Sequence, residues 1–255
     1  MFYGWKVCSV SCLGNLLVVG GVTYIMNAFM EPMSTLHGWT RADIGGAVGL
    51  ATLCGTLSMP VLASLAMRYS LRLMTTLGMA CGGLAFMGLG YAGTLPSFTA
   101  LFALAWVAGQ ACGGVVGNAL MGNWFVRCRG RAFGLANLGT SLSGALLPFV
   151  ALVLVTLCDV RMAFLVIGGF ILALAPLCWA VVRDTPEELG LSSDGVPPLA
   201  SAAPISPIIV PWRNLLVCRE AYCIGLSFGF GLLAAAGVLG QLKPRFADLG
   251  FSDYA

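Results

Sequence analysis

The chain has 255 residues, of which 59% are hydrophobic and 9% charged, where a soluble domain carries roughly a quarter charged residues. That balance excludes an ordinary soluble fold. A formal net charge of +3, scattered along the chain, excludes a nucleic-acid surface, so the expected partners are a lipid bilayer and a small-molecule solute, with no nucleic acid.

The first six residues, Met1-Phe2-Tyr3-Gly4-Trp5-Lys6, lead into an uncharged stretch at 7–30. This is longer than the roughly 7–15 residues of a signal-peptide core, so it reads as a retained helix. A span needs about 20 apolar residues, because each adds about 1.5 Å against a hydrocarbon thickness of about 30 Å. Further charge-free stretches of that kind run over 44–67, 73–93, 98–126, 132–158, 162–182 and 221–242. Backbone groups in lipid must bond internally, which predicts helices. Barrel strands would alternate apolar and polar residues, and a run such as Leu165-Val166-Ile167-Gly168-Gly169-Phe170-Ile171-Leu172 does not. The fold class expected is therefore all-α and polytopic.

Local signals place the ends of these helices. Thr40 with Asp43 three residues on has the form of a capping box opening the second helix, and Gly93-Thr94-Leu95-Pro96-Ser97 separates the third from the fourth. His37, the only histidine, falls in the first outer loop, where an exposed histidine is more often solvated than a proton switch. Loops two and four hold Arg68, Arg72, Arg127, Arg129 and Arg131, against Arg41 and Arg161 in loops one, three and five. Short cytoplasmic loops collect arginine and lysine, so the N-terminus is expected in the cytoplasm.

After the sixth helix comes a long connection rich in proline, with Pro186, Pro197, Pro198, Pro204, Pro207 and Pro211, the composition of a semi-rigid linker. The domains expected are a six-helix bundle over 1–182, a cytoplasmic linker over 183–219, and helix seven with its outer loop over 220–255. Gly38-Trp39-Thr40 after helix one is echoed by Gly250-Phe251-Ser252 after helix seven, as a repeated bundle would place it. Ten cysteines are spread through the apolar stretches with no CxxC pair, and read as small packing residues rather than a disulfide or metal framework.

Several motifs together make the chain resemble the major facilitator superfamily, and within it the branch of monocarboxylate and oxalate/formate transporters. They are Tyr3-Gly4-Trp5-Lys6, Gly38-Trp39-Thr40-Arg41-Ala42-Asp43-Ile44, Trp124-Phe125-Val126-Arg127-Cys128-Arg129-Gly130-Arg131-Ala132 and Asp184-Thr185-Pro186-Glu187-Glu188-Leu189-Gly190-Leu191. The resemblance implies the first six-helix bundle of a rocker-switch carrier plus helix seven, a truncated form of the fold. It implies a protein that is monomeric when full length and moves a small organic anion by alternating access. A non-transporting scaffold or receptor is the alternative. The superfamily's loop between helices two and three is degraded here: aligned on Arg68 and Arg72, Ala63, Met67, Ser70 and Leu73 stand where the motif has glycine, aspartate, glycine and arginine. The helix-four arginine of many drug and sugar carriers is absent, Ala105 standing four residues before Gly109.

Within the spans, the candidate substrate-cavity residues are Asn15, Thr23 and Asn27 in helix one and Gln110 and Asn118 in helix four, whose bland reading is interhelical hydrogen bonding. Gly109, Gly113 and Gly117 recur every four residues and mark a helix face that a neighbouring backbone can approach. Arg68, Arg72, Arg127 and Arg131 are the loop and gating candidates, weighed against simple contact with lipid headgroups. Neither a nucleophile elbow nor an HExxH or phosphate-binding sequence occurs, so no catalytic residue, metal or cofactor is expected.

Overall fold

The computed structural model describes residues 2–195 and, beyond them, 218–220, 222–223, 225–227, 229–231 and 234. The chain divides into two compact units, Met1–Pro198 and Leu199–Ala255. Most of the predicted seventh helix, and the Gly250-Phe251-Ser252 echo, lie outside the described residues. Those of its residues that are described, among them Tyr222 and Leu226, are helical.

Among its described residues the first unit is all-helical and contains six apolar helices long enough to cross a membrane. The first begins as α1 (Gly4–Gly14), passes through two wide π turns at Asn15–Val19 and Gly21–Ile25, and continues as α2 (Met26–His37). The predicted stretch at 7–30 thus extends to His37, because Pro32 sits within a helix whose glycine C-cap comes only at Gly38, where φ is +69°. His37 is accordingly the last helical residue rather than a loop residue, and its ring stacks on Trp39 at 4.4 Å.

α3 (Arg41–Ala66) opens on the expected capping box, with Thr40 and Asp43 each bonding the other's backbone. α4 (Leu71–Leu89) follows a Ser70 cap. α5 (Leu95–Cys112) starts within the predicted turn, on a second box in which Thr94 and Ser97 play the same parts. After a break come α6 (Val115–Trp124), then α7 (Arg129–Leu157) and α8 (Val160–Val181). Pro148 lies inside α7 without interrupting it.

Burial shows which helices form the centre. In the first span 61% of the apolar window is buried and in the α5–α6 span 56%, against 17% in α3 and 22% in α7. The first helix and α5–α6 are therefore the middle of the bundle. α3 and α7 leave rows such as Leu50, Leu53 and Leu57, or Leu138, Leu142 and Leu146, uncovered, and water would not tolerate such rows. Aromatic side chains fill the interior: Phe29 of α2 stacks on Phe164 of α8 at 4.1 Å, and Trp39, Phe98 and Phe102 form a ladder along α5.

Glycines set the closest helix approaches. A Cβ on Gly83 of α4 would lie 2.7 Å from the Leu172 amide nitrogen and 2.8 Å from the Gly168 carbonyl oxygen. One on Gly168 would lie 2.6 Å from the Gly83 oxygen. The α4–α8 crossing is thus backbone on backbone, which close-packed membrane interfaces require small residues to reach.

Candidate functional site

The centre of the bundle is irregular where the two most buried spans meet. α5 ends at a glycine pair: Gly113 has φ −126° and ψ −49°, and Gly114 has φ −62° and ψ −99°. Glycine costs about 1 kcal/mol in a helix interior, and here two stand together against a crowded neighbour. A Cβ on Gly113 would meet Asn15 Oδ1 at 2.5 Å and the Asn15 backbone nitrogen at 2.8 Å. The Gly113 and Gly114 amides both donate to the Gly109 carbonyl, at 2.9 and 3.1 Å. The helix restarts at Val115, so the single helix predicted over 98–126 is two helices. The break stands ten residues from the end of α6, about 15 Å at 1.5 Å per residue and so about half of a 30 Å hydrocarbon core.

Polar side chains gather at that break. Asn15, 2% exposed, sits where α1 widens into the first π turn, and its amide nitrogen donates to the Ala136 carbonyl of α7 at 2.9 Å. This bond orients the amide so that Oδ1 faces Gly113. Asn15→Ala is expected to lower bundle stability by about 1 kcal/mol, since it removes this bond between the first helix and α7; a thermal transition in detergent would read the loss. Gln110 is 7% exposed, and its Oε1 lies against Gly114. Ser11, one turn before Asn15, is 1% exposed and its hydroxyl has no hydrogen-bond partner among the described residues.

The five polar candidates do not form one cluster. Asn15 and Gln110 each reach the break, against Gly113 and Gly114 respectively. Asn118 lies two turns beyond Gln110 and is exposed. Thr23 is also exposed, its hydroxyl spent on the Val19 carbonyl at 2.7 Å. Asn27 is in α2, and its side chain lies outside the described atoms. Ser11 escaped the sequence reading because one serine in an apolar helix carries no signal; only its position against α6 singles it out. The glycine series also divides. Gly113 touches the backbone of the first helix too closely for any side chain, whereas at Gly117 the close neighbour is the Ser11 hydroxyl alone, 2.5 Å from a Cβ position. At Gly109 the nearest atom, Val19 Cα, would be an ordinary 3.5 Å away.

The arginine-rich end is held by the segment that follows α8. Trp124 Nε1 donates to the Arg183 carbonyl at 2.9 Å, Asn123 to the Asp184 carbonyl at 3.1 Å, and the Tyr3 hydroxyl to the Val181 carbonyl at 2.8 Å. Asp184 accepts from the Arg72 amide at 2.6 Å. The Arg72 Nε donates to the Trp179 carbonyl at 2.7 Å, and its guanidinium lies 4.0 Å over the Trp179 ring. Arg72 is thus anchored within the bundle. Arg68, Arg127 and Arg131 are exposed. Among the described residues the aspartate missing at Met67 has no direct replacement beside Arg68, but two carboxylates serve this end from elsewhere.

The second of these, Asp194, accepts from the amides of Val126 at 3.0 Å, Arg127 at 2.6 Å and Cys128 at 3.4 Å, just ahead of α7. Burial alone would raise its pKa; the three amides and the Arg127 charge outweigh it and hold the carboxyl below its ordinary value. A depressed native pKa means a contribution to stability present above the unfolded value of about 3.9 and lost as pH falls through the native one. Asp194→Ala is expected to cost about 1 kcal/mol, as for a lost helix cap. In thermal melts the gap between variant and parent should be full at pH 7 and close below about pH 4. Sequence reasoning passed over Asp194, although Asp194-Gly195 is a turn signal.

A membrane-embedded all-helical bundle whose two innermost spans are both irregular at mid-depth, with polar groups between them, has the architecture of a carrier protein's helical half. The chain matches the Major Facilitator Superfamily over residues 12–254 and belongs to that family. It is therefore an integral membrane protein. Among solved structures it is similar to a bacterial homolog of the human lysosomal transporter Spinster, in an inward-facing and unoccupied conformation, with a TM-score of 0.72 and 14% identity. That likeness covers 98% of this chain and 57% of the other, so it bears on the fold. A comparison with curated proteins finds no match.

Proposed function

We propose that this chain serves the membrane transport of a small organic anion, a monocarboxylate or a close relative, by alternating access, with the arginine-rich end in the cytoplasm of a bacterial inner membrane. The observation that carries the reading is the broken α5–α6 span against Asn15 at mid-depth, in a chain that matches a transporter superfamily along nearly all its length. Irregular backbone at membrane depth is tolerated only where protein buries it or where it lines a polar chamber. The polar groups here are neutral. They suit a solute that is oriented by hydrogen bonds within this half, and the motifs resembling the monocarboxylate branch supply the solute class. The arginine count of the loops supports the orientation.

Ligand-induced thermal stabilisation tests the solute class. Lactate, formate and oxalate, each added to the purified protein in large excess over its dissociation constant, are expected to raise the transition. A ligand at about 100 times that constant contributes about 2.7 kcal/mol. Neutral lactamide should not raise it. Equal shifts with lactamide and lactate, or none with any carboxylate, would remove the organic-anion reading.

A further inference from the structure

We propose that the cleft at the end of the bundle away from the arginine-rich loops binds the headgroup of a phosphatidylethanolamine molecule, with Arg161 on its phosphate and Asp159 on its ammonium. The inference needs only the membrane-embedded fold and stands apart from the solute class.

The cleft, about 790 Å³ in volume, lies where three spans end: His37 closes α2, Gly90 to Gly93 follow α4, and Asp159 to Arg161 open α8. α4 has 19 residues, which extend roughly 28 Å at 1.5 Å per residue. That nearly equals a hydrocarbon core of about 30 Å, so with Arg72 at one boundary the cleft stands at the other, at the depth of lipid headgroups. Tyr91 and Trp39 at this level are of the aromatic kind that favours the interface. Apolar rows lead to the cleft along both helices. Leu77 and Leu84 of α4 lie seven residues apart, with Tyr91 seven further on, and Met162, Val166 and Phe170 of α8 lie four apart, all of them exposed. Acyl chains therefore have a row to follow on either helix.

The charges in the cleft are opposite and unspent. Arg161 lays its guanidinium over the Tyr91 ring, 3.9 Å from the centroid, which fixes its plane and leaves its N–H edge to an acceptor. Asp159 occupies the N-cap position of α8, where a carboxylate ordinarily takes a backbone amide, yet its side chain makes no such bond. Both residues line the cleft, but side chains two residues apart do not face each other at a helix start. Among the described residues neither forms an ion pair. A lone cation beside a lone anion suits a ligand that carries both charges. A phosphate takes the guanidinium edge as a bidentate pair. A primary ammonium brings three donors to the Asp159 carboxylate, as a lysine does, whereas a choline headgroup has none, and a glycerol headgroup leaves that carboxylate beside a net negative lipid.

Native mass spectrometry tests the assignment on the intact chain, released from detergent that holds phosphatidylethanolamine, phosphatidylcholine and phosphatidylglycerol in equal amounts. The parent is expected to retain the ethanolamine lipid about fivefold over the choline lipid, as for one exposed ion pair at the upper end of its usual range. Asp159→Asn should remove that preference, and Arg161→Gln should lower retention of both lipids, with Arg161→Lys restoring part of it. Both side chains are exposed, so the thermal transitions of the variants in lipid-free detergent should match the parent's. Equal retention of the ethanolamine and choline lipids by the parent, or a preference that survives either Asp159→Asn or Arg161→Gln, overturns the site. A preference for phosphatidylglycerol over both others in the parent, unchanged in Asp159→Asn, also overturns it, as a plain anion site. Full displacement of the lipid by an equal concentration of soluble phosphoethanolamine overturns the lipid as occupant, leaving a cleft for a free zwitterion.

Discussion

Gly113→Leu is expected to separate the first helix from the α5–α6 span and abolish function, while the chain still inserts in the membrane. Its side chain would have to occupy the position of Asn15 Oδ1 and the backbone of Gly14 and Asn15, at 2.5 to 3.0 Å from the Cβ. Backbone cannot rotate aside as a side-chain tip can. Overpacking usually costs about 1–3 kcal/mol, and this site belongs at the top of that range or above it. Insertion should survive, because the substitution only adds apolar surface to a span that is already apolar. Gly109→Ala, one turn earlier in the same glycine series, is the contrast. It meets Val19 at an ordinary 3.5 Å and is expected to be neutral or stabilising by up to about 1 kcal/mol, since alanine is the better helix former. Thermal transitions of the two purified variants would decide. If both behave alike, the break is not where the spans are joined.

Gly168→Leu is expected to be the most disruptive change on the other side of the bundle. The Cβ would stand 2.6 Å from the Gly83 carbonyl oxygen and equally close to the Met87 amide nitrogen, so α4 and α8 must part along their length. The predicted result is a loss of more than about 3 kcal/mol, seen as aggregation in detergent or a transition too low to measure. Gly169→Leu is the control, because a Cβ there meets nothing within 4 Å and the added side chain should cost little. An intact bundle with Gly168→Leu would contradict the crossing described here.

These neighbouring glycines show what could be read from residues alone and what could not. The spans themselves were legible, because charge-free runs about 20 residues long leave lipid as the only solvent. The Thr40–Asp43 box was legible because a capping box is a local motif with a fixed spacing. That Gly168 is essential to packing and Gly169 is not depends on which face meets α4, a pairing between residues far apart in the chain. The repeat at Gly109, Gly113 and Gly117 marked the right helix. Its regular spacing nevertheless suggested one smooth continuous face, where the structure has a break caused by two adjacent glycines and a polar neighbour across the gap. Asn15 and Gln110 were found because amides are rare in such spans, whereas Ser11 matters only through what it faces. At the arginine-rich end the degraded motif between α3 and α4 signalled a missing carboxylate, but not that Asp184 and Asp194 from beyond α8 would bond the exposed amides instead.

The most direct test of the account is uptake of labelled lactate, formate and oxalate into proteoliposomes. These would be made with this chain and, in parallel, with the longest product of its gene. The account predicts saturable carboxylate uptake by at least one of these proteins, competed by unlabelled carboxylates, unaffected by lactamide and lost with Gly113→Leu. Uptake by neither, from folded protein, would contradict it.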